Sequence, residues 1–149
     1  MRTIALLHRL RSLIRRTGLL PLRGVKVLAT DQAGRVLLVR HRYGHDAWML
    51  PGGGIHPWET PLAAGRRELR EETGCRLLDG RMVARFRAVA DGVPHPLFLV
   101  VGRTLDPPVP DGLEIAEASF FASLPADASP ATRRRLAERA GGGLYPPDW

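Results

Sequence analysis

The chain has 149 residues, of which 44% are hydrophobic and 25% charged, a composition that fits one globular domain rather than two. Its single cysteine, Cys75, excludes an internal disulfide framework and a cysteine-built zinc site, and we expect it to be a small buried group. No apolar run approaches the roughly 18 residues of a membrane-spanning helix, so we expect a soluble, cytoplasmic protein. The net charge of +7 is uneven, because residues 1–42 hold ten Arg or Lys against one acid.

The first twenty residues carry a basic amphipathic pattern. Apolar residues recur there at helical spacing: Leu6, Leu7, Leu10, Leu13 and Ile14. We predict an amphipathic helix or extension over residues 1–20, a main domain over 21–141 and an extended tail over 142–149. The arginine face could contact nucleic acid or an anionic membrane. The favoured interpretation is that the leucines pack on the domain, or on a second subunit of a homodimer, while the arginines stay solvated.

After Pro21 the pattern changes to that of β-strands. The runs VKVLAT and VLLVR, separated by DQAG, predict a hairpin, and WMLP predicts a short buried strand that leads into three glycines. RMVARFRAVA, with Met82, Ala84, Phe86 and Ala88 alternating against arginines, predicts another strand, as do LFLVV and EIAEASFF. SPATRRRLAERAGGG predicts a capped helix. Together these elements predict an α/β fold, a mixed β-sheet with helices on both faces.

A helix with clear end signals follows the glycines. Thr60 suits the N-cap, Pro61 suits the first helical position, and Gly74 suits the left-handed residue after the last turn. These signals predict a helix over residues 61–73.

Three carboxylates share one face of this helix, those of Glu68, Glu71 and Glu72. Carboxylates at this spacing repel one another by a few tenths of a kcal/mol, so helix stability does not explain them. The nearby arginines could offset the charge, but carboxylates beside a glycine loop better suit Mg²⁺, which takes oxygen ligands and substrate phosphates. A loop without side chains also lets its backbone approach a metal or phosphate closely.

Residues 53–75 form a long pattern of fixed spacing. Gly53 and Glu59 are separated by five residues, and Glu59 and Arg67 by seven. Arg67-Glu68-Leu69 is then followed by one residue, Glu71-Glu72, one residue and Gly74. This order resembles the Nudix box of the Nudix (MutT-like) pyrophosphohydrolases. The last position departs from it, since Cys75 stands where a larger aliphatic residue is usual. His56 and Trp58 also stand where that family often has a glutamate and a glycine.

The resemblance implies an α/β/α sandwich and hydrolysis of a nucleoside diphosphate linked to another group, with Mg²⁺ or Mn²⁺ as cofactor. It further implies four metal ligands, which are Glu68, Glu71, Glu72 and the backbone carbonyl of Gly53. Arg67 would orient Glu59. Three carboxylates remain candidates for the base that takes a proton from water, namely Glu71, Glu72 and Glu114, with Glu117 behind the last.

Substrate-binding candidates lie outside the metal-ligand set. They are Arg40, for a phosphate, Trp58, for a nucleobase, and His95. Each has a purely structural alternative, such as packing of Trp58 against its loop.

The sequence therefore supports two functional hypotheses. The first is Mg²⁺-dependent hydrolysis of a pyrophosphate bond, by activated water, in a nucleotide, nucleotide sugar or dinucleotide type of substrate. The alternative is a catalytically weak Nudix-fold nucleotide sensor or nucleic-acid-associated regulator. The basic first helix, His56 and Trp58 motivate that alternative.

Overall fold

The computed structural model describes residues 22–44, 46–90 and 92–149. Six strands and two helices lie in these ranges, in chain order β1 Gly24–Thr30, β2 Val36–His41, β3 Trp48–Met49, α1 Pro61–Thr73, β4 Leu78–Ala90, β5 Val93–Arg103, β6 Ile115–Phe121 and α2 Pro130–Ala140. The basic helix predicted for residues 1–20 lies outside the described residues. No helix within them is long and apolar enough to cross a membrane.

The strands form one mixed sheet, as predicted. Its order is β3-β2-β1-β5-β4, and β6 pairs with β2. β1 runs parallel to β5, whereas the other strand pairs are antiparallel. β1 and β2 pair at Thr30 and Val36 alone. Beyond this pair, the chain that follows β3 lies between the two strands. There Val25 and Val27 donate their N–H groups to the carbonyls of Gly53 and Pro51, at 2.9 Å each.

Each face of the sheet carries a helix. Val25, Val27 and Ala29 of β1 pack in one buried cluster with Ala64 and Leu69 of α1. Alternate strand residues point to opposite faces, and Leu28 accordingly lies in a second buried cluster, against which Leu136 of α2 packs. The predicted mixed sheet with helices on both faces is therefore confirmed.

Local capping defines α1 at the predicted bounds. The Thr60 hydroxyl accepts a hydrogen bond from the N–H of Ala63 at 3.2 Å, and Pro61 opens the helix. Gly74 ends it in the left-handed conformation, with φ of 71°, and donates its N–H to the Arg70 carbonyl at 2.9 Å. Cys75, directly after this cap, is fully buried as expected.

Buried and exposed side chains alternate along β4 only in its second half. Phe86 and Ala88 are buried, but Met82 is 49% exposed. The register between β4 and β5 shifts between Met82 and Ala84, and such a bulge turns the preceding side chains away from the core.

The tail docks on the edge of β4. The backbone N–H of Arg87 donates to the Pro147 carbonyl at 2.6 Å, and Trp149 donates its N–H to the Arg87 carbonyl at 3.0 Å. The Trp149 ring lies 5.1 Å from that of Phe86, edge to face. Arg135 of α2 is fully buried beside both rings, 4.3 Å from the Phe86 centroid and 5.1 Å from that of Trp149.

Candidate active site

The candidate site lies where α1 packs against the glycine turn at residues 52–54. Gly52 adopts φ of 142°, and a Cβ added there would lie 2.1 Å from the Val25 carbonyl oxygen. Only glycine fits this close approach between the turn and β1. The turn therefore presents backbone, without side chains, to the carboxylates of α1.

Glu72 is the carboxylate buried deepest at this contact, with 5% of its surface exposed. Its Oε2 accepts a hydrogen bond from the Gly52 N–H at 2.9 Å. Burial raises the pKa of Glu72 to about 8, and the charges of Glu68 and Glu114 act in the same direction. Lys26 and the Gly52 N–H oppose this rise in pKa. A cation beside Glu72 would favour its charged form.

Glu68 lies against the next glycine. Both of its carboxylate oxygens and the carboxylate carbon are 2.7 Å from the position of a Cβ added at Gly53. The Gly53 carbonyl already accepts the hydrogen bond from Val25, and a carbonyl oxygen has a second lone pair. Glu71 lies further out, with 58% of its side chain exposed against 15% for Glu68.

Arg67 connects the helix to the loop before it. Its Nε and Nη2 donate to the two oxygens of Glu59, at 2.7 and 2.9 Å, and Nη2 also donates to the Gly54 carbonyl at 2.9 Å. Its Nη1 reaches Glu68 at 2.7 Å and Glu71 at 3.3 Å. The hydrogen bond from Arg67 lowers the pKa of Glu59 to about 2. Such a bidentate pair fixes both partners.

Glu114, the downstream base candidate, belongs to the same electrostatic environment, because its charge acts on the pKa of Glu72. It lies just before β6, where its carbonyl accepts the N–H of Arg42 at 2.8 Å. Glu117 is instead paired with Arg40, at 3.3 Å. Of the two downstream candidates, Glu114 thus influences Glu72 electrostatically, whereas the carboxylate of Glu117 contacts Arg40.

Lys26 is a site residue that the sequence interpretation missed. Its Nζ donates to the Leu50 carbonyl at 3.0 Å. Burial lowers its pKa, and the charges of Glu72 and Glu68 counteract this. Lys26 is the one lysine among 22 basic residues, and a single charged side chain inside the predicted strand VKVLAT was the available signal.

The three substrate-binding candidates have different surroundings. Arg40 forms ion pairs with Asp127, Glu117 and Asp46 and lies 4.8 Å from the Trp48 ring centroid. A phosphate would have to compete with these three carboxylates.

His95 lies close to the glycine turn. Its Nε2 and the Gly53 carbonyl oxygen are each 3.8 Å from the position of a Cβ added at Gly24. Trp58 is 80% exposed, and its ring stacks on that of His56 at 5.0 Å between centroids. One face of the Trp58 ring thus packs against its own loop, as the structural alternative has it, and the rest of the ring is exposed.

The donors at this site suit a hard divalent cation. Carboxylates and a backbone carbonyl are the oxygen ligands that Mg²⁺ takes, and the glycine turn leaves room for Glu68 that a side chain would fill. In the described ranges, no three His, Cys, Asp or Glu side chains form a preassembled metal-binding group. A cation would therefore have to draw Glu68 and Glu71 from their contacts with Arg67.

Solved structures share this architecture. A MutT NUDIX hydrolase from Burkholderia pseudomallei superposes with a TM-score of 0.69 at 24% identity, over 79% of this chain and 97% of that one. A NUDIX hydrolase from Nitrosomonas europaea gives a TM-score of 0.69 at 23% identity, over 85% and 93% of the two chains. The fold is thus that of the NUDIX hydrolases. The NUDIX domain description matches residues 20–140, and the chain belongs to this family.

Curated relatives match a shorter segment. The chain is 47% identical over 60 residues to an RNA pyrophosphohydrolase from Pseudomonas savastanoi pv. phaseolicola, which is 40% of this chain and 37% of the relative. It is 44% identical over 63 residues to an RNA pyrophosphohydrolase from Yersinia enterocolitica, which is 42% and 35% of the two chains. The match thus spans little more than a third of these relatives.

Proposed function

We propose that the protein is a pyrophosphohydrolase that uses Mg²⁺ or Mn²⁺ and cleaves a nucleoside diphosphate-linked substrate of nucleotide, nucleotide sugar or dinucleotide type. The packing of Glu68 and Glu72 against the Gly52–Gly53 turn carries this proposal. Membership of the NUDIX family supports it. The relatives named RNA pyrophosphohydrolase support the type of bond and add 5′-phosphorylated RNA to the substrates worth testing.

Four groups would hold the cation, namely the carboxylates of Glu68, Glu71 and Glu72 and the Gly53 carbonyl. Bound there, the cation would polarise a phosphoryl oxygen and acidify an attacking water. A carboxylate of this chain would take the proton from that water, and the candidates are Glu72, Glu71 and Glu114. Arg67 would act by positioning, because it fixes Glu59 and the loop at Gly54.

On the substrate side, we propose His95 and Trp58 as binding residues, since His95 lies beside the glycine turn and Trp58 is exposed. Arg40 is the weaker of the three candidates because Asp127, Glu117 and Asp46 hold its guanidinium. We further propose residues 21–141 as the catalytic domain. Homodimer formation and contact with nucleic acid or an anionic membrane through residues 1–20 stay predictions of the sequence.

The test is a hydrolysis screen with Mg²⁺. The panel comprises nucleoside triphosphates, ADP-ribose, nucleotide sugars, dinucleoside polyphosphates and 5′-triphosphorylated and capped RNA. We expect a phosphate-containing product from at least one class, and no product after chelation of the metal. Glu72→Gln should lose about 100-fold or more in kcat while keeping its far-UV circular dichroism spectrum.

The matched control is Asp79→Asn, which removes an exposed carboxylate paired with Arg103 on the sheet rather than one on α1. This variant should keep wild-type kcat. Full activity in Glu72→Gln would refute the assignment of the site. Tight nucleotide binding without turnover across the whole panel would favour the sensor hypothesis instead.

A further inference from the structure

Asp111 lies in the loop between β5 and β6, shortly before Glu114. Its Oδ1 accepts hydrogen bonds from three consecutive backbone N–H groups, those of Leu113 at 2.9 Å, Glu114 at 3.0 Å and Ile115 at 2.8 Å. The intervening residue, Gly112, adopts the left-handed conformation with φ of 73°, which turns the chain back over the carboxylate. One oxygen of Asp111 thus fixes the backbone at Glu114 and at both of its neighbours.

The backbone of the same loop is joined to the end of α1. The last carbonyls of a helix have no partner inside it, and the loop provides partners for the final two residues of α1. The N–H of Val109 donates to the Thr73 carbonyl at 2.8 Å. The N–H of Asp111 donates to the Glu72 carbonyl at 3.2 Å. Asp111 therefore contacts Glu72 through its backbone and Glu114 through its side chain.

Two carboxylates of the candidate site are thereby held relative to each other, although they come from different elements. The charge of Glu114 helps to raise the pKa of Glu72, so the two side chains interact. Beyond Glu114, its carbonyl accepts the N–H of Arg42 at 2.8 Å, and Ile115 is fully buried. A shift of about 1 Å between groups that act together can lower a rate about 100-fold. The hydrogen bonds of Asp111 therefore bear on activity, even though its Oδ1 faces the backbone of its own loop.

We propose that Asp111 is a positioning residue for the reaction, whose carboxylate holds Glu114 in place beside Glu72 so that the two side chains act on one substrate. This inference rests on the proposed function, and it adds a residue outside α1 on which the alignment of the site depends. Asp111 acts through hydrogen bonds to the backbone rather than through its charge. Asparagine can therefore replace it, because its side-chain oxygen accepts the same hydrogen bonds, whereas alanine cannot.

The kinetic test measures kcat and KM with a substrate that the hydrolysis screen identifies. Asp111→Ala should lower kcat by about 10- to 100-fold and leave KM within about twofold, because contacts to the substrate are kept while the alignment of Glu114 is lost. Asp111→Asn should keep kcat within about threefold of wild type. Equal losses in the two variants would overturn the proposal, because the charge of Asp111 would then be the property that matters. Wild-type kcat in Asp111→Ala would overturn it as well.

A double-mutant cycle tests whether Asp111 acts through Glu114. Glu114→Gln should itself lower kcat, and adding Asp111→Ala should cause less than about a twofold further loss, since the positioned group is already gone. The matched control is Asp31→Ala, because the Asp31 carboxylate accepts backbone N–H groups in the same way within the β1–β2 turn. This variant should keep wild-type kcat. Unchanged kcat in Glu114→Gln, or losses that multiply in the double variant, would overturn the proposal.

Amide hydrogen exchange, measured by NMR, separates this inference from the proposed function because it needs no substrate. Asp111→Ala should speed exchange at the N–H groups of Leu113, Glu114 and Ile115 by about 10-fold or more, whereas Asp111→Asn should not. The amide of Leu28, in the core strand β1, should keep its wild-type exchange rate in both variants and so report an intact fold. The two failures are distinct: no hydrolysis by the wild-type protein would refute the proposed function, whereas unchanged exchange at Glu114 in Asp111→Ala would refute this inference in an active enzyme.

Discussion

Gly52 and Gly53 are neighbours in the turn, but replacing each by alanine should damage different properties of the protein. A Cβ at Gly52 would lie 2.1 Å from the Val25 carbonyl oxygen and 2.9 Å from the Cα of Lys26, and the φ of 142° strains any L-residue. Both neighbours are backbone, so β1 itself must move. Strain and overpacking together predict a loss of about 2–5 kcal/mol in the free energy of unfolding of Gly52→Ala.

A Cβ at Gly53 would contact a side chain rather than the backbone. Its nearest atoms, at 2.7 Å, are those of the Glu68 carboxylate, the end of a flexible side chain. Glu68 can rotate away, so Gly53→Ala should lose less than about 1 kcal/mol of stability. The rotation removes a proposed ligand, and Mn²⁺ affinity should therefore fall about 10-fold or more.

The matched control is Gly54→Ala, because a Cβ at Gly54 has no other atom within 4 Å. It should keep both wild-type stability and metal affinity. Urea unfolding at 25 °C measures the stability of the three variants, and calorimetric titration with Mn²⁺ measures their metal affinity. Equal destabilisation of Gly52→Ala and Gly53→Ala, or wild-type metal affinity in Gly53→Ala, would refute this reasoning.

Three further predictions concern charged groups. Because the pKa of Glu59 is lowered from 4.5 to about 2, its ion pair stabilises the fold above about pH 4.5 and this stability is lost as the pH falls towards 2. Glu59→Gln should thus unfold at lower urea than wild type at pH 7, and the two midpoints should converge over that window; a constant difference would contradict the pairing. Lys26→Met should cost about 1–3 kcal/mol in urea unfolding, because it removes the donor to the Leu50 carbonyl, and an unchanged midpoint would argue against that bond. Arg135→Met should cost about 3–5 kcal/mol, since it leaves Glu138 without its buried partner at 2.6 Å, and adding Glu138→Gln should recover most of the loss.

Features set by neighbours in sequence could be predicted from the chain alone. The bounds of α1 follow from Thr60, Pro61 and Gly74, because a cap hydroxyl, a proline ring and a left-handed glycine act within one turn of the helix. The β1–β2 hairpin is similar, since Asp31 accepts the N–H groups of Ala33 and Arg35 within its own turn. The common face of the three glutamates on α1 needs only helical periodicity.

Contacts between distant segments could not be predicted in this way. The sequence interpretation offered Arg40 for phosphate binding, but its partners, Asp127 among them, come from later loops that the fold brings to β2. Lys26 received no role, because its environment depends on Leu50 and Glu72 arriving from two other elements. The exposure of Met82 within its predicted strand is a further case, since the bulge in β4 depends on pairing with β5.

The sequence by itself determined the spacing of the carboxylates, the glycines beside them and the ends of the helix that carries them, because these depend on interactions within a few residues. The tertiary structure alone decided that the chain after β3 lies between β1 and β2. This placement puts Gly52 in contact with Glu72 and Gly53 in contact with Glu68. It also decided the exposed fraction of Trp58 and the packing of Trp149, in the tail, against Phe86. Burial and long-range electrostatics depend on which segments meet, and local pattern does not contain that information.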